Sequence, residues 1–522
     1  MHENREISSL AARQRSSPAG KGDSREASTN GGEKSDGVVV PMKSSNKAKE
    51  LQAGAAERAE GSTPAKENVN QTSTSLAQDG RGVSQGLIGV RKAAEENEEL
   101  QFTSLLHHLN VDLLRMSFKA LNKNAASGVD DVTWREYEDG FENRLADLKE
   151  RIHRGAYRAQ PSLRIYIPKA DGRKRPIGIA ALEDKIVQQA VVTILNEIYE
   201  VDFRGFSYGF RPERSQHQAL DALNVGIQRK KVSWILDADI RSFFDRMSHE
   251  WMVKFIQHRI ADKRILRLIQ KWLKAGVSED GEWSETTVGT PQGAVISPLL
   301  ANVYLHYVFD LWLEVWRKKV ARGEVIAVRY ADDLVVGFQH RAEADRFLKE
   351  FQERLAKFGL EINADKTRLI EFGRFAQRDR RQRGEGEAES FTFLGFTHRC
   401  GSNSSGHFTI ERRTDRKRME AKLQKVKQTL RQRMHEPVSA VGEWLGRVVN
   451  GYFQYHGVPG NLSSLYRFRD RVRGYWLRAL ERRSQTGRLS LTRRIRLFDR
   501  WLPSPRILHP YPDRRFDAMH PR

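Results

Sequence analysis

The stretch VIAVRYADDLVVGF, residues 325–338, places two adjacent carboxylates between two apolar runs. Each run has the length and composition of a buried strand, so we predict strands over 325–330 and 334–338 joined by a tight turn. Neighbouring carboxylates repel one another, and holding them beside buried strands is costly without a positive charge. The turn therefore predicts a divalent metal site, provided that a distant part of the chain supplies another carboxylate.

A second acidic stretch, WILDADIRSFFD at residues 234–245, can supply that carboxylate. In a strand over 234–240, alternation places Asp237 and Asp239 on the same face. Periodicity alone leaves both residues open as the partner of the acidic turn. The alternative is a half-exposed edge strand with no role in metal binding.

Composition points to a polyanionic partner. The 522 residues carry a net charge of +22, and residues 401–522 hold 27 Lys and Arg against 10 Asp and Glu. Rings interleaved with these arginines suit base stacking beside phosphate contacts. The rings are Tyr452, Phe453, Tyr455, Tyr466, Phe468, Tyr475 and Trp476. The single cysteine, Cys400, excludes disulfides within the chain and a Cys-rich zinc site, and indicates a reducing compartment.

The pattern along the chain divides it into four segments. Residues 1–95 are poor in aromatic residues and rich in small and charged ones, which predicts disorder. Residues 96–400 alternate strand and helix signals, including a strand at 391–396 after a surface loop at 375–390, and predict an α+β domain. Residues 401–485 predict three helices, the third N-capped by Asn461, and 486–522 a basic tail. No apolar run is long enough for a membrane-spanning helix.

The two acidic stretches resemble the metal-binding motifs of reverse transcriptases, in the order and spacing of that family. The resemblance implies a right-hand fold, with fingers and palm followed by an α-helical thumb. It also implies that two Mg²⁺ ions are held by Asp239, Asp332, Asp333 and the backbone carbonyl of Ile240. The implied reaction is attack of a primer 3′-hydroxyl on the α-phosphate of a dNTP, with loss of pyrophosphate.

Further motifs agree with this resemblance. The fingers hairpin of the family is similar to IPKADGRKRPIG at 167–178. The loop under the nascent base pair is similar to GTPQGAVISP at 289–298. A motif whose lysine protonates pyrophosphate is similar to GLEINADKT at 359–367. We also expect Ser297 to cap the helix after the second of these motifs. The expected roles are dNTP binding for Lys169, Arg175, Phe244 and Gln292, proton donation for Lys366, and template or primer contact for Arg211, Gly293, Phe393, Leu394 and Gly395. Phe244 is the expected barrier to a ribose 2′-hydroxyl, with Phe243 in the core.

Other motifs narrow the resemblance to group II intron-encoded reverse transcriptases. These are NAASGVD at 124–130, FSYGFRP at 206–212, the Ser-Pro pair of 289–298 and GYFQYHG at 451–457. The resemblance implies a maturase segment (domain X) at 401–485, which together with the fingers extension and the basic tail binds the intron RNA largely through shape and phosphates. A single cysteine argues against the Cys- and His-bearing nuclease of many intron proteins, so we expect the endonuclease-lacking branch.

The expected function is therefore an RNA-directed DNA polymerase of a group II intron that also assists splicing and retrohoming. Its expected partners are the intron RNA, an RNA template, a DNA primer or target, and dNTPs, in the cytoplasm or nucleoid. Two alternatives remain: an RNA-binding splicing factor with idle catalysis, and a domesticated reverse transcriptase in defence or repair. The sequence does not indicate an oligomeric state.

Overall fold

The structure of the chain is a computed structural model that describes residues 81–168, 174–483 and 489–520. The strands are β1 Ser162–Pro168, β2 Lys174–Ile179, β3 Trp234–Asp239, β4 Val277–Glu279, β5 Glu282–Ser284, β6 Val325–Tyr330, β7 Asp333–Phe338, β8 Arg368–Glu371, β9 Ser390–Phe393, β10 Phe396–Ser402 and β11 Phe408–Thr414. The helices up to the central region are α1 Arg81–Glu96, α2 Val111–Ala120, α3 Trp134–Glu138, α4 Phe141–His153, α5 Leu182–Asp202, α6 Gln216–Arg229, α7 Phe243–Arg246, α8 His249–Gln257 and α9 Lys263–Lys274. The later helices are α10 Ser297–Leu305, α11 Leu311–Lys319, α12 Arg341–Lys357, α13 Ala376–Gln382, α14 Arg416–Gln432, α15 Val438–His456, α16 Leu462–Glu481, α17 Leu491–Trp501 and α18 Pro512–Met519.

The central sheet contains the two acidic stretches. Its strands lie in the order β6-β7-β3-β8, and every neighbouring pair is antiparallel. Strand β3 is interior and both of its faces are covered, because Leu236 and Ala238 join one hydrophobic cluster and Ile235 joins another. The predicted alternation is therefore confirmed, and the edge-strand alternative is wrong.

Helices cover both faces of the central sheet. On one face lie α5, α10 and α12, whose apolar side chains share a cluster with Leu236 and Val336. On the other face, α6 packs with the turn after β9 around Ile235. A smaller sheet, β2-β1-β4-β5, is built on the predicted hairpin, in which Ile167 pairs with Arg175. Lys169 and the predicted turn at 171–172 lie outside the described residues.

The folded part begins earlier than the sequence predicted. Most of the segment 1–95, expected to be disordered, lies outside the described residues, but α1 occupies its last part. Leu87, Val90 and Ala94 are buried in the same cluster as α5. The composition averaged over 95 residues did not reveal this amphipathic helix, which is stabilised by tertiary packing.

Two predictions near residue 390 are also corrected. The stretch 375–390 contains helix α13 rather than only a loop. The strand expected at 391–396 is a hairpin, because Leu394 and Gly395 reverse the chain with φ angles of 46° and 79°. Strands β10 and β11 then continue to Thr414, so the first part of the segment predicted as helical is a hairpin.

The three predicted C-terminal helices, α14, α15 and α16, form a bundle with its own hydrophobic cluster. Asn461 stands at the start of α16 but does not cap it with its side chain. Its buried amide instead donates to the Thr414 hydroxyl and the His456 carbonyl, both at 2.8 Å, and so joins β11 to α15. We call α14–α16 the C-terminal bundle.

The rings that the sequence suggested for base stacking mostly build this bundle. Tyr452, Phe453, Phe468, Tyr475 and Trp476 are buried, Tyr455 is half-buried, and Tyr466 is exposed. Tyr452 stacks on Phe468 with ring centroids 3.6 Å apart. The expectation of a stacking surface is therefore wrong for these buried rings, since their helical spacing reflects a core.

The predicted basic tail is folded where it is described. In α17, Phe498 is buried in the cluster of the C-terminal bundle. Helix α18 packs on α6, where Arg515 lies 3.3 Å from Asp221 and Asp517 lies 2.7 Å from Arg229. The weak helical signal was misleading because ion pairs to distant residues hold these helices. None of the helices in the described ranges is long and apolar enough to cross a membrane.

Candidate active site

Asp239, Asp332 and Asp333 meet at one end of the central sheet. Asp239 ends β3, and its backbone lies directly opposite Asp333, the first residue of β7. Residues opposed in this way hold their β-carbons about 5 Å apart. Asp332 lies between β6 and β7 in the turn that Ala331 closes with a φ of 57°. The structure thus brings together the three carboxylates that the sequence singled out.

The loop after α12 holds the Asp239 carboxylate. Lys366 Nζ lies 3.0 Å and 3.1 Å from its two oxygens, and Asn363 Nδ2 donates to it at 2.9 Å. The backbone N–H of Asn363 also donates to the backbone carbonyl of Asp239 at 2.8 Å. Lys366 was predicted as a site residue, whereas Asn363 was missed, although its position three residues before the lysine is a usable signal.

The clustered charges change the proton affinity of the acidic turn. Burial, together with the neighbouring carboxylates of Asp332 and Asp239, raises the pKa of Asp333 to about 6. The pKa of Asp332 is also raised, first by burial and then by Asp239. Neighbouring protein atoms desolvate the Asp333 carboxyl group, although the residue keeps exposed surface. Negative charge is therefore concentrated at one point, which favours a cation there.

Asp237, the other candidate on β3, occupies a different environment. It lies opposite Val335 and Arg368, farther from the sheet end than Asp239. Burial raises the pKa of Asp237 to about 7, with a contribution from Asp333. The register therefore favours Asp239 as the carboxylate beside the acidic turn, a choice that periodicity could not make.

The donor set suits a hard divalent cation, because carboxylate oxygens are the ligands that Mg²⁺ prefers. Within the described residues, no group of three His, Cys, Asp or Glu side chains has ligand spacing as it stands. Lys366 takes the position of a cation against Asp239, so its ammonium must move for a metal to bind there. Ile240, the expected carbonyl ligand, is buried and its backbone pairs with Ile362.

The described residues that are expected near the incoming nucleotide lie on β2, on α7 and in the loop 289–293. The charge of Arg175 lowers the pKa of Asp332, which places this β2 residue near the acidic turn. Phe244 is half-buried, and Phe243 beneath it is buried, as expected, with ring centroids 5.4 Å apart. The Gln292 carbonyl accepts the Gly178 amide at 2.7 Å, which fixes the loop 289–293 against β2.

Glycine is required in this loop. Gly293 has a φ of 110°, and a β-carbon there would lie 2.7 Å from the Gly178 carbonyl oxygen. Pro298 lies in the first turn of the following helix, but Ser297 does not cap this helix as expected. The Ser297 hydroxyl instead contacts the Thr290 hydroxyl at 2.7 Å, so it closes the loop on itself.

The prediction for Arg211 is wrong. This residue was expected to contact the template, but its side chain is buried, with 3% exposed. Its guanidinium pairs with Glu200 at 2.9 Å and donates to the carbonyls of Arg204 and Ser207, both at 2.8 Å. The Arg211 guanidinium therefore stabilises the turn after α5, and its donors are already occupied within the protein.

The turn after β9 contacts the C-terminal bundle. Phe393 and Leu394 are buried, and the Tyr455 hydroxyl donates to the Leu394 carbonyl at 2.7 Å. Arg418 of α14 lies against Gly395, and its positive charge lowers the pKa of Asp333. Arg418 was missed by the sequence analysis, in which it was one of many arginines without a distinguishing pattern.

Comparison with known proteins agrees with this geometry. Residues 167–398 match the family model described as reverse transcriptase (RNA-dependent DNA polymerase). Protein YkfC of Escherichia coli (strain K12) is 34% identical over 274 residues, 46% of this chain and 71% of that protein. Group II intron-encoded protein LtrA of Lactococcus lactis subsp. cremoris is 33% identical over 306 residues, 55% of this chain and 50% of LtrA. Nuclear intron maturase 2, mitochondrial, of Arabidopsis thaliana is 26% identical over 233 residues, 37% of this chain and 30% of that protein.

The chain therefore belongs to the reverse transcriptase family, in the branch of group II intron-encoded proteins and maturases. The predicted family and the α+β fold class are confirmed. The match spans about half the length of LtrA.

Proposed function

We propose that this protein copies RNA into DNA at the cleft formed by Asp239, Asp332 and Asp333. The observation that carries the proposal is the convergence of these carboxylates at the end of β3 and in the turn between β6 and β7. Bound there, two Mg²⁺ ions would lower the pKa of the primer 3′-hydroxyl and neutralise charge on the triphosphate. The primer hydroxyl would then give its proton to solvent as its oxygen bonds to the α-phosphorus, and the bond to the bridging oxygen would break so that pyrophosphate leaves.

Lys366 is the proposed proton donor to pyrophosphate. Its side chain is 53% exposed, so the ammonium can turn from Asp239 toward a bound triphosphate. The same movement frees the carboxylate for a cation. Asn363 stays on Asp239 and keeps its orientation while the lysine moves.

The proposed nucleotide contacts follow from the position of the cleft walls. Arg175, with Lys169 beyond the described residues, would neutralise the triphosphate. Phe244 would exclude a ribose 2′-hydroxyl, since it lies on α7 five residues after Asp239 and is only half-buried. Gln292 and Gly293 would support the sugar and the nascent pair from the loop that packs on β2.

We further propose that the C-terminal bundle and tail bind group II intron RNA and assist splicing. Relatives named as an intron-encoded protein and an intron maturase support this proposal. The excess of arginine in 401–522 supports it as well. Because the bundle's rings are mostly internal, contact should rest on phosphates and shape, and affinity should fall steeply with salt.

Primer extension tests the polymerase proposal. The purified protein should extend a DNA primer on an RNA template with Mg²⁺, and Asp332→Ala should slow extension about a thousandfold, since a metal contact contributes several kcal/mol and each 1.4 kcal/mol is tenfold. Asp345→Ala, an exposed carboxylate on α12, is the matched control and should extend normally. Equal extension rates for Asp332→Ala and wild type would show that the acidic turn is not part of the catalytic site.

A second measurement locates the metal without relying on activity. Fe²⁺ in place of Mg²⁺, with peroxide and ascorbate, should cut the backbone near residues 239 and 332. The idle-splicing-factor alternative predicts intron RNA binding with neither extension nor localised cutting. The intact carboxylate set favours the active enzyme over that alternative.

A further inference from the structure

Directly before the acidic turn, strand β6 carries a fully buried charge. Arg329 has no exposed surface. A desolvated guanidinium is costly unless its donors are matched by acceptors of good geometry. The residue after it, Tyr330, begins the turn, so whatever holds Arg329 also acts on the carboxylates.

Two side chains from the helix behind the sheet hold this guanidinium. Asp310 accepts from Nε at 2.8 Å and from Nη2 at 2.6 Å, and it too is fully buried. Asn302 accepts from Nη1 at 2.9 Å. A bidentate carboxylate and a third acceptor fix the guanidinium plane.

The guanidinium reaches the acidic turn itself. Nη1 of Arg329 also donates to the Ala331 carbonyl at 3.3 Å. Ala331 has a φ of 57°, a conformation that costs an L-residue free energy and therefore needs support from its surroundings. The Ala331 carbonyl belongs to the peptide that leads into Asp332, so this hydrogen bond holds the backbone from which the Asp332 side chain projects.

The same network clamps the turn from the other side. Asn302 Nδ2 donates to the Gly209 carbonyl at 2.7 Å. Gly209 approaches so closely that a β-carbon there would lie 2.2 Å from the Ala331 amide nitrogen. Asn302 thus joins the guanidinium to the segment that presses on the turn.

An irregular helical turn places both partners on one face. Residues His306–Asp310 form a π-helix between α10 and α11. Eight residues of regular α-helix would put Asp310 about 80° around the axis from Asn302. The wider π turn reduces this offset, and such turns often mark functional positions.

We infer that Arg329 is a positioning residue for the acidic turn: held by Asp310 and Asn302, it fixes the peptide before Asp332 and so aims that carboxylate into the cleft. The inference rests on the proposed polymerase function, but it concerns residues that do not touch substrate. A lysine at 329 keeps the charge and cannot make the same set of contacts, because its single ammonium lacks the planar fork.

The test compares Arg329→Lys with Arg259→Lys. Arg259 is a matched control, since it is 2% exposed, pairs with Asp202 at 3.0 Å and bonds to the carbonyls of Asn97 and Leu100, away from the turn. We measure amide hydrogen exchange of a peptide spanning 330–334, kcat and KM for dNTP in primer extension, and the Mg²⁺ midpoint of that reaction.

Arg329→Lys should speed exchange in the 330–334 peptide roughly tenfold. It should lower kcat by about a hundredfold with little change in the dNTP KM, and raise the Mg²⁺ midpoint. Arg259→Lys should leave exchange in that peptide and the midpoint unchanged, even where its melting temperature falls equally. Asn302→Ser removes no charge and should show the same changes as Arg329→Lys. It provides the test if Arg329→Lys does not fold.

Two results overturn the inference. The first is that Arg329→Lys and Asn302→Ser both show the hydrogen exchange of the 330–334 peptide and the Mg²⁺ midpoint of the wild type. The second is that Arg259→Lys changes this exchange and this midpoint as much as Arg329→Lys does. Failure of the proposed function itself looks different, because the wild-type protein would then not extend a primer at all.

Discussion

A buried charge cluster ties the last described helix to the rest of the molecule, and its loss can be estimated. Asp221 of α6 is 3% exposed and lies 2.8 Å from Arg412 of β11 and 3.3 Å from Arg515 of α18. Arg412 is itself 2% exposed. The perturbation is Asp221→Asn, which keeps the size of the side chain and removes its charge.

Breaking a buried pair by removing one partner costs about 3–5 kcal/mol, because the other charge stays desolvated. The asparagine carbonyl can still accept one hydrogen bond from Arg412, so the expected loss is near 3 kcal/mol. Asp517→Asn is the matched control on the same interface. Its pair with Arg229 is exposed by 40% and 49%, and such surface pairs contribute about 0–1 kcal/mol.

The assay is urea denaturation of both variants and wild type, followed by tryptophan fluorescence at fixed salt. The free energy of unfolding should fall by about 3 kcal/mol for Asp221→Asn and by less than about 1 kcal/mol for Asp517→Asn. Equal losses within about 0.5 kcal/mol would refute the reasoning that burial, rather than the number of ion pairs, decides the contribution of this interface.

Three further outcomes are expected. Burial lowers the pKa of His398 to about 3, so the unfolded chain takes up this proton first and the free energy of unfolding falls as the pH drops below about 6.5. His398→Phe should therefore reduce the loss of stability between pH 7 and pH 5 by about 2 kcal/mol, measured by denaturation at both pH values. Phe244→Val should admit rNTPs at least about tenfold better relative to dNTPs, measured as the ratio of kcat/KM values, and an unchanged ratio would exclude the proposed barrier. Lys366→Ala should lower kcat about a hundredfold with a smaller effect on the dNTP KM, and a change confined to KM would contradict proton donation.

The sequence predicted the parts of the fold that local patterns determine. The two strands around 330–333, the strand at 234–240 and the three helices of the C-terminal bundle have strong apolar periodicity, and each is present. The convergence of Asp239 with the acidic turn followed from the resemblance to reverse transcriptases. Strand register then distinguished Asp239 from Asp237, which lies opposite Arg368.

What the sequence could not predict depends on distant contacts. Helix α1 and helix α18 have modest local signals, and they are stabilised by packing on α5 and α6. The burial of Arg211 depends on Glu200, and that of Arg329 on Asp310, neither of which a linear motif relates to its partner. A basic residue in a motif can equally face a substrate or a buried acid, and only the tertiary arrangement distinguishes these cases.

The docking of α18 on α6 has a mechanical consequence for the C-terminal bundle. The chain leaves the central region at β11 and comes back to it at α18, so the bundle is attached at both of its ends. Between these ends the bundle is also held by Tyr455 on the Leu394 carbonyl and by Asn461 on the Thr414 hydroxyl. A ligand that displaces the whole bundle must therefore break these hydrogen bonds, and it must also detach Arg515 from Asp221 to release the chain beyond the bundle.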